Sequence, residues 1–95
     1  MIIRIVKMIF QAEYISEFIN IYEVSKDKIK GMNGCIHVEL LQDIHSENVF
    51  FTYSHWETEY DLNNYKKSNT FAAIWPKTKL LFSEEAIAWS TEIKG

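Results

Sequence analysis

The side chains of this sequence that could do chemistry gather near its middle. Thr52 and Ser54 are small hydroxyl residues at alternate positions of an extended run, set between the bulky Phe50 and Trp56. Alternate residues of a strand share one face, so these four predict a surface where small side chains leave volume. Hydroxyls on that surface could orient a carbonyl or a phenol, or simply pack under a helix. Trp56 and Trp75 have flat rings that could stack on a planar ligand or fill a core. His37 and His55 lie in adjacent extended runs, and a histidine lining a cavity there could act as a general base near neutral pH. Alternation puts His55 on the face opposite Trp56, which suits an interface histidine. Glu39 shares the face of His37 and could pair with it, while His45 falls in a polar loop.

Other chemistries find less support. Two histidines and one glutamate fall short of the three or four convergent ligands a metal takes, so no metal site is expected. No Gly-rich phosphate loop occurs, so no nucleotide cofactor is expected either. Cys35 follows Gly34 with no basic neighbour in sequence to favour a reactive thiolate. As the single cysteine it cannot close an intrachain disulfide and fits a reducing compartment. The net charge is −3, and the densest basic group, Lys26, Lys28 and Lys30, is interleaved with Asp27. That is no basic stripe for a nucleic acid. Arg4 and Lys7 interrupt the opening apolar run, which therefore does not read as a signal peptide. No stretch approaches the ~18 apolar residues of a membrane span. A cytoplasmic protein with neither nucleic-acid nor membrane partner is expected.

The elements that must position these residues follow from periodicity. The chain has 95 residues, 47% hydrophobic and 24% charged, with three Gly and one Pro, and reads as one globular domain over residues 1–95. Ile2 to Phe10 is a β-branched run and predicts a strand. Ile15, Phe18, Ile19, Tyr22 and Ile29 fall on one face of a helix that Gly31 stops, and Asn33-Gly34 forms a turn. Cys35 to Gln42 and Val49 to Trp56 predict two further strands joined by a polar hairpin loop. Thr58 caps a second helix, with Glu59 and Asp61 in its first turn and Leu62 and Tyr65 facing inward. Ser68 caps another, followed by Phe71, Ile74, Trp75 and Leu81 or Phe82 at helical spacing, in which Pro76 marks a kink or the first turn of a new segment. Ala86 to Ile93 closes the chain as a fourth strand. The order β-α-β-β-α-β is the ferredoxin-like α+β pattern with an antiparallel sheet.

Such a sheet has helices for one face only, and its other face should then be polar. The third strand instead offers Val49, Phe51, Tyr53 and His55 on one parity, and the first offers Ile3, Ile5 and Ile9. Each Phe-sized side chain left in water forgoes about 1.5–3 kcal/mol. Aromatic residues make up 15% of the chain, with six Phe, five Tyr and three Trp. A second copy packing sheet against sheet, as a two-fold homodimer, would cover this face; the alternative is a set of tolerated surface aromatics.

With these elements placed, the chain resembles the antibiotic biosynthesis monooxygenase family of dimeric α+β barrels. The residues that carry the resemblance are the opening strand, Glu17-Phe18, Gly34-Cys35, the run Phe51-Thr52-Tyr53-Ser54-His55-Trp56-Glu57, then Tyr65-Lys66-Lys67-Ser68 and Phe71. The resemblance implies a pocket between sheet and helices in each subunit, and dimerisation through the outward sheet face into a barrel. With such a pocket, the candidate lining on this chain is Phe50, Thr52, Ser54, Trp56, Tyr65, Phe71 and Trp75, and the candidate catalytic groups are His37 and Tyr65. Trp56 matches a pocket Trp of the family's polyketide-quinone-forming members. Their Asn four residues earlier is Thr52 here, and an aromatic six residues later is Leu62. The haem-degrading branch places an iron-ligating His on the helices and an Asn in the first strand; those helix positions read Tyr65 and Trp75, and Ile2 to Phe10 holds no Asn, which argues against haem. A His that many members carry on the second helix is Tyr65 here. The implied activity is cofactor-independent oxidation of a small aromatic phenol or quinol, and the rival is a non-catalytic module that binds an aromatic metabolite.

Overall fold

The structure is a computed structural model that describes residues 1–95. Strand β1 (Ile2–Ile9) leads through a 3-10 turn (Ala12–Tyr14) into helix α1 (Ile15–Lys30). Strands β2 (Cys35–Gln42) and β3 (Val49–Trp56) follow, then helices α2 (Glu59–Lys66) and α3 (Asn69–Lys79), and finally β4 (Ile87–Thr91). The four strands form one antiparallel sheet in the order β2-β3-β1-β4. This is the expected ferredoxin-like α+β topology, with β2 and β4 at the edges of the central pair β3 and β1. No helix is long and apolar enough to cross a membrane.

Local chemistry explains where the elements stop. Gly34 has φ +79°, a conformation side chains resist, and a Cβ there would overlap the Asp61 side chain at the start of α2. Glycine therefore lets the turn before β2 sit directly against that helix, and Glu57 N donates to Gly34 O at 2.8 Å to hold it. Thr58 and Ser68 cap α2 and α3 as expected, their hydroxyls accepting from Asp61 N and Phe71 N at 3.1 Å each.

Helix α1 buries Phe18, Tyr22, Ser25 and Ile29, an i, i+4, i+7, i+11 seam. The expected stripe is thus turned slightly: Ile19 is exposed, and Ser25 takes a place on the buried seam. Pro76 starts no new segment. Helix α3 runs through it to Lys79, and the buried Thr78, whose hydroxyl donates to Ile74 O at 2.9 Å, anchors the turn that follows it.

The core lies between the helices and the even-numbered residues of β1 and β3. Met8, Phe10, Phe18, Phe50 and Leu81 form one cluster, and Tyr22, Ile29 and Val38 a second. Only 14 of 95 residues are buried, so much of the apolar surface lies outside these clusters. The opposite sheet face carries paired rows: Glu39, Tyr53, Ile5 and Trp89, then Leu41, Phe51, Lys7 and Ile87. Leu41, Ile87 and Trp89 are each exposed.

Candidate functional site

Between the helices and the sheet lies a cavity of about 190 Å³ that adjoins both core clusters. Strand registers dictate its floor. Val38, Ser54, Arg4 and Ser90 pair in one row across all four strands, and Leu40, Thr52, Val6 and Ala88 in the next. Paired residues of an antiparallel sheet project to the same side, so Arg4, Ser54 and Thr52 rise together into the cavity. Its roof is α1 with Tyr22 and Ser25, and α2 and α3 with Tyr65, Phe71 and Trp75.

Aromatic contacts wall one side. Trp56 stacks on Tyr65 at 5.0 Å, Tyr65 meets Phe71 edge-on at 5.3 Å, and Phe71 stacks on Trp75 at 5.7 Å. Trp75 then contacts Phe82, which joins the core aromatics through Phe10. Both cavity tryptophans therefore already have an aromatic partner, and Trp56 is almost fully buried. Its Nε1 donates to Ser54 Oγ at 3.0 Å, which fixes the indole against the floor.

The structure brings Thr52, Ser54, Trp56, Tyr65, Phe71 and Trp75 together around this cavity. Phe50 does not line it. Its ring lies in the adjoining cluster against Phe10 and Phe18, at 5.8 and 5.3 Å between centroids. His37 is on the other face of the sheet, paired with His55, its side chain 45% exposed and 3.5 Å from Glu39. A β-bulge between Cys35 and His37 sets that register; His37 cannot reach a ligand in the cavity. His55 also projects to the outer face, where its Nε2 is buried without a hydrogen-bond partner.

Electrostatically the cavity is unusual for an acidic chain. Its lining holds no Asp, Glu or His, and its two formal charges, Arg4 and Lys66, are both positive. Arg4 donates from Nη1 to Ser90 Oγ at 3.0 Å and forms no ion pair. Burial pushes its guanidinium below the ordinary value, yet arginine remains a cation. Burial also pushes the Tyr65 phenol up, to about 12, with the Cys35 charge adding to the shift, and raises Tyr22 likewise. Both phenols are neutral hydrogen-bond donors at pH 7. The Cys35 thiol is raised, chiefly by burial, which makes a reactive thiolate less accessible still. No three His, Cys, Asp or Glu side chains converge to hold a metal ion.

Arg4 and Ser25 escaped the sequence reading. The signal for Arg4 was its parity with Val6, Met8 and Phe10, which placed a charge on the buried face of the first strand.

A family model for antibiotic biosynthesis monooxygenases matches residues 1–76. Among solved structures, a conserved protein from Methanosarcina mazei Go1 superposes with TM-score 0.92 at 22% identity, over 98% of this chain and 93% of that one. An antibiotic biosynthesis monooxygenase superposes with TM-score 0.93 at 15% identity, over the whole of both chains. A Mycobacterium tuberculosis protein gives 0.91 at 8% identity, over 99% of this chain and 95% of that one. At such identities these likenesses speak to the fold. No curated protein matches the sequence.

Proposed function

The chain belongs to the antibiotic biosynthesis monooxygenase family, and from that membership we propose that it oxidises a small, flat phenol or quinol with molecular oxygen in the cavity between sheet and helices. The observation that carries this is the cavity itself: a mostly apolar space of about 190 Å³ with hydroxyls of Thr52 and Ser54 on its floor and aromatic rings as its wall. Pockets for drug-sized ligands run from roughly 300 Å³ upwards, so the substrate is one or two rings across. Apolar walls exclude water, and the floor hydroxyls orient the substrate oxygen. The substrate itself reduces oxygen. A phenol with a hydrogen on its para carbon loses that hydrogen and its hydroxyl proton. One oxygen atom becomes the second quinone carbonyl, and the other leaves as water with the two hydrogens.

Oxygen uptake with a panel of phenols and quinols tests this, against a Thr52→Phe variant that fills the cavity. Uptake that is equal in the two proteins argues against catalysis in the cavity. The absence of Asp, Glu and His from its lining favours a second reading, a module that binds an aromatic metabolite without turning it over. That reading expects thermal stabilisation by such ligands with no uptake of oxygen.

The working form in this proposal is a homodimer joined through the outer sheet face. Support comes from the exposed apolar side chains Leu41, Ile87 and Trp89 on that face and from the unpaired, buried Nε2 of His55. A second copy would cover the former and could satisfy the latter.

A further inference from the structure

We propose that Arg4 makes the cavity an oxyanion site, so that its ligand is a one-ring aromatic carrying a carboxylate or an ionised hydroxyl. This inference deepens the proposed function and rests on the cavity being a ligand site. Three observations carry it. First, both formal charges in the lining are positive, in a chain of net charge −3, and no carboxylate lines the cavity. Arg4 is half-buried, and a cation partly withdrawn from water gains from an anionic partner. Its one hydrogen-bond partner in the protein is the hydroxyl of Ser90 on the exposed edge strand, at 3.0 Å, so most of its five N–H donors have no protein partner.

Second, Arg4 occupies the middle of the Val38–Ser54–Arg4–Ser90 row, beside the Thr52 and Ser54 hydroxyls. Ser54 Oγ accepts from Trp56 Nε1, so its own proton is free to be donated toward a ligand. A planar guanidinium with hydroxyl donors alongside suits an anionic oxygen in apolar surroundings, where charge-assisted hydrogen bonds are strongest. Third, the lining offers no carboxylate or imidazole to take a proton from the ligand. A cation beside the phenol oxygen favours its ionised form, and the proton leaves to solvent. Arg4 would then supply by charge what a general base would supply by proton transfer.

The experiment compares charged and neutral ligands of one shape. Binding of benzoate and benzamide is measured by calorimetry with wild type, Arg4→Met and Arg4→Lys. The ionisation of bound 4-nitrophenol is followed by its phenolate absorbance. One charge-assisted bond corresponds to roughly 10- to 100-fold. Wild type is expected to prefer benzoate to benzamide by that factor, or to lower the apparent pKa of bound nitrophenol by about one to two pH units. The first result identifies a carboxylate ligand and the second a phenolate. In Arg4→Met the effect collapses, and in Arg4→Lys, which keeps a cation, part of it remains. Benzamide and neutral nitrophenol binding with no charge preference in wild type overturns the oxyanion site alone. Failure of all three to bind overturns the cavity as a ligand site and the inference with it. The wild-type comparison stands even if a variant does not fold.

Discussion

The indole N–H of Trp56 is satisfied by the hydroxyl of Ser54, two residues earlier on the same face of β3, at 3.0 Å. Both side chains are buried, so the pair joins the floor of the cavity to its aromatic wall. Ser54→Ala leaves the indole N–H without a partner, at an expected cost of about 1–3 kcal/mol. Urea unfolding measures that cost. Trp56→Phe in the Ser54→Ala background removes the orphaned donor, so adding it should cost less than Trp56→Phe does in wild type. Equal costs in the two backgrounds would show that the bond contributes nothing.

Tyr65 makes stability fall at alkaline pH. Its folded-state pKa, about 12, lies above the ordinary value of 10.0 because of burial. Below pH 10 the phenol is neutral in both states and has no effect. As pH rises from 10 towards 12 the unfolded chain loses this proton while the folded chain keeps it, so folding weakens. Tyr22 shifts in the same direction, hence the comparison must isolate Tyr65. Tyr65→Phe should lose stability less steeply than wild type between pH 10 and 12; parallel profiles in chemical denaturation speak against the raised value.

The turn at Gly34 joins backbone conformation to helix packing. Its positive φ and its contact with Asp61 both oppose a side chain. Gly34→Ala is expected to cost about 1–3 kcal/mol from conformation alone, and more from the overlap. Asp61→Gly removes every side-chain atom of the overlap, Cβ included, so it should cost less in the Gly34→Ala background than in wild type. Equal costs in the two backgrounds would show that the close approach has been misjudged.

On the outer sheet face, Phe51 lies in a row with Leu41, Lys7 and Ile87. A homodimer through this face scatters light as a particle of twice the 11.2 kDa chain mass. Phe51→Glu should shift it towards the single-chain mass by burying an unpaired charge at the interface. A wild-type particle of 11.2 kDa at micromolar concentration is the contrary result.

Much of the frame was legible because local chemistry and global fold agree. The β-branched and aromatic runs delimit β2 and β3 to the residue, and Thr58 and Ser68 cap the helices that follow them. Alternation alone put Thr52, Ser54 and Trp56 on one side of β3. What failed depended on contacts distant in sequence. Phe50 shares that face, but Phe10 and Phe18 fill the space above it. The bulge that places His37 arises from how β2 meets β3, and no turn residue announces it. Ile19 carries the right period, yet the packed seam runs through Phe18, Tyr22 and Ser25. Arg4 reads as an interruption of an apolar run until its register with Ser54 and Ser90 is known.

The most direct test of the cavity as the working site is equilibrium binding of a small phenol to wild type and to Thr52→Phe. Thr52 projects from the middle of the floor, half-buried and without a hydrogen-bond partner among the side chains, so a larger residue there fills space with little else disturbed. The expected result is one phenol per chain in wild type and none in Thr52→Phe, with both proteins folded by circular dichroism. Equal binding by the two would place the ligand elsewhere and contradict the site.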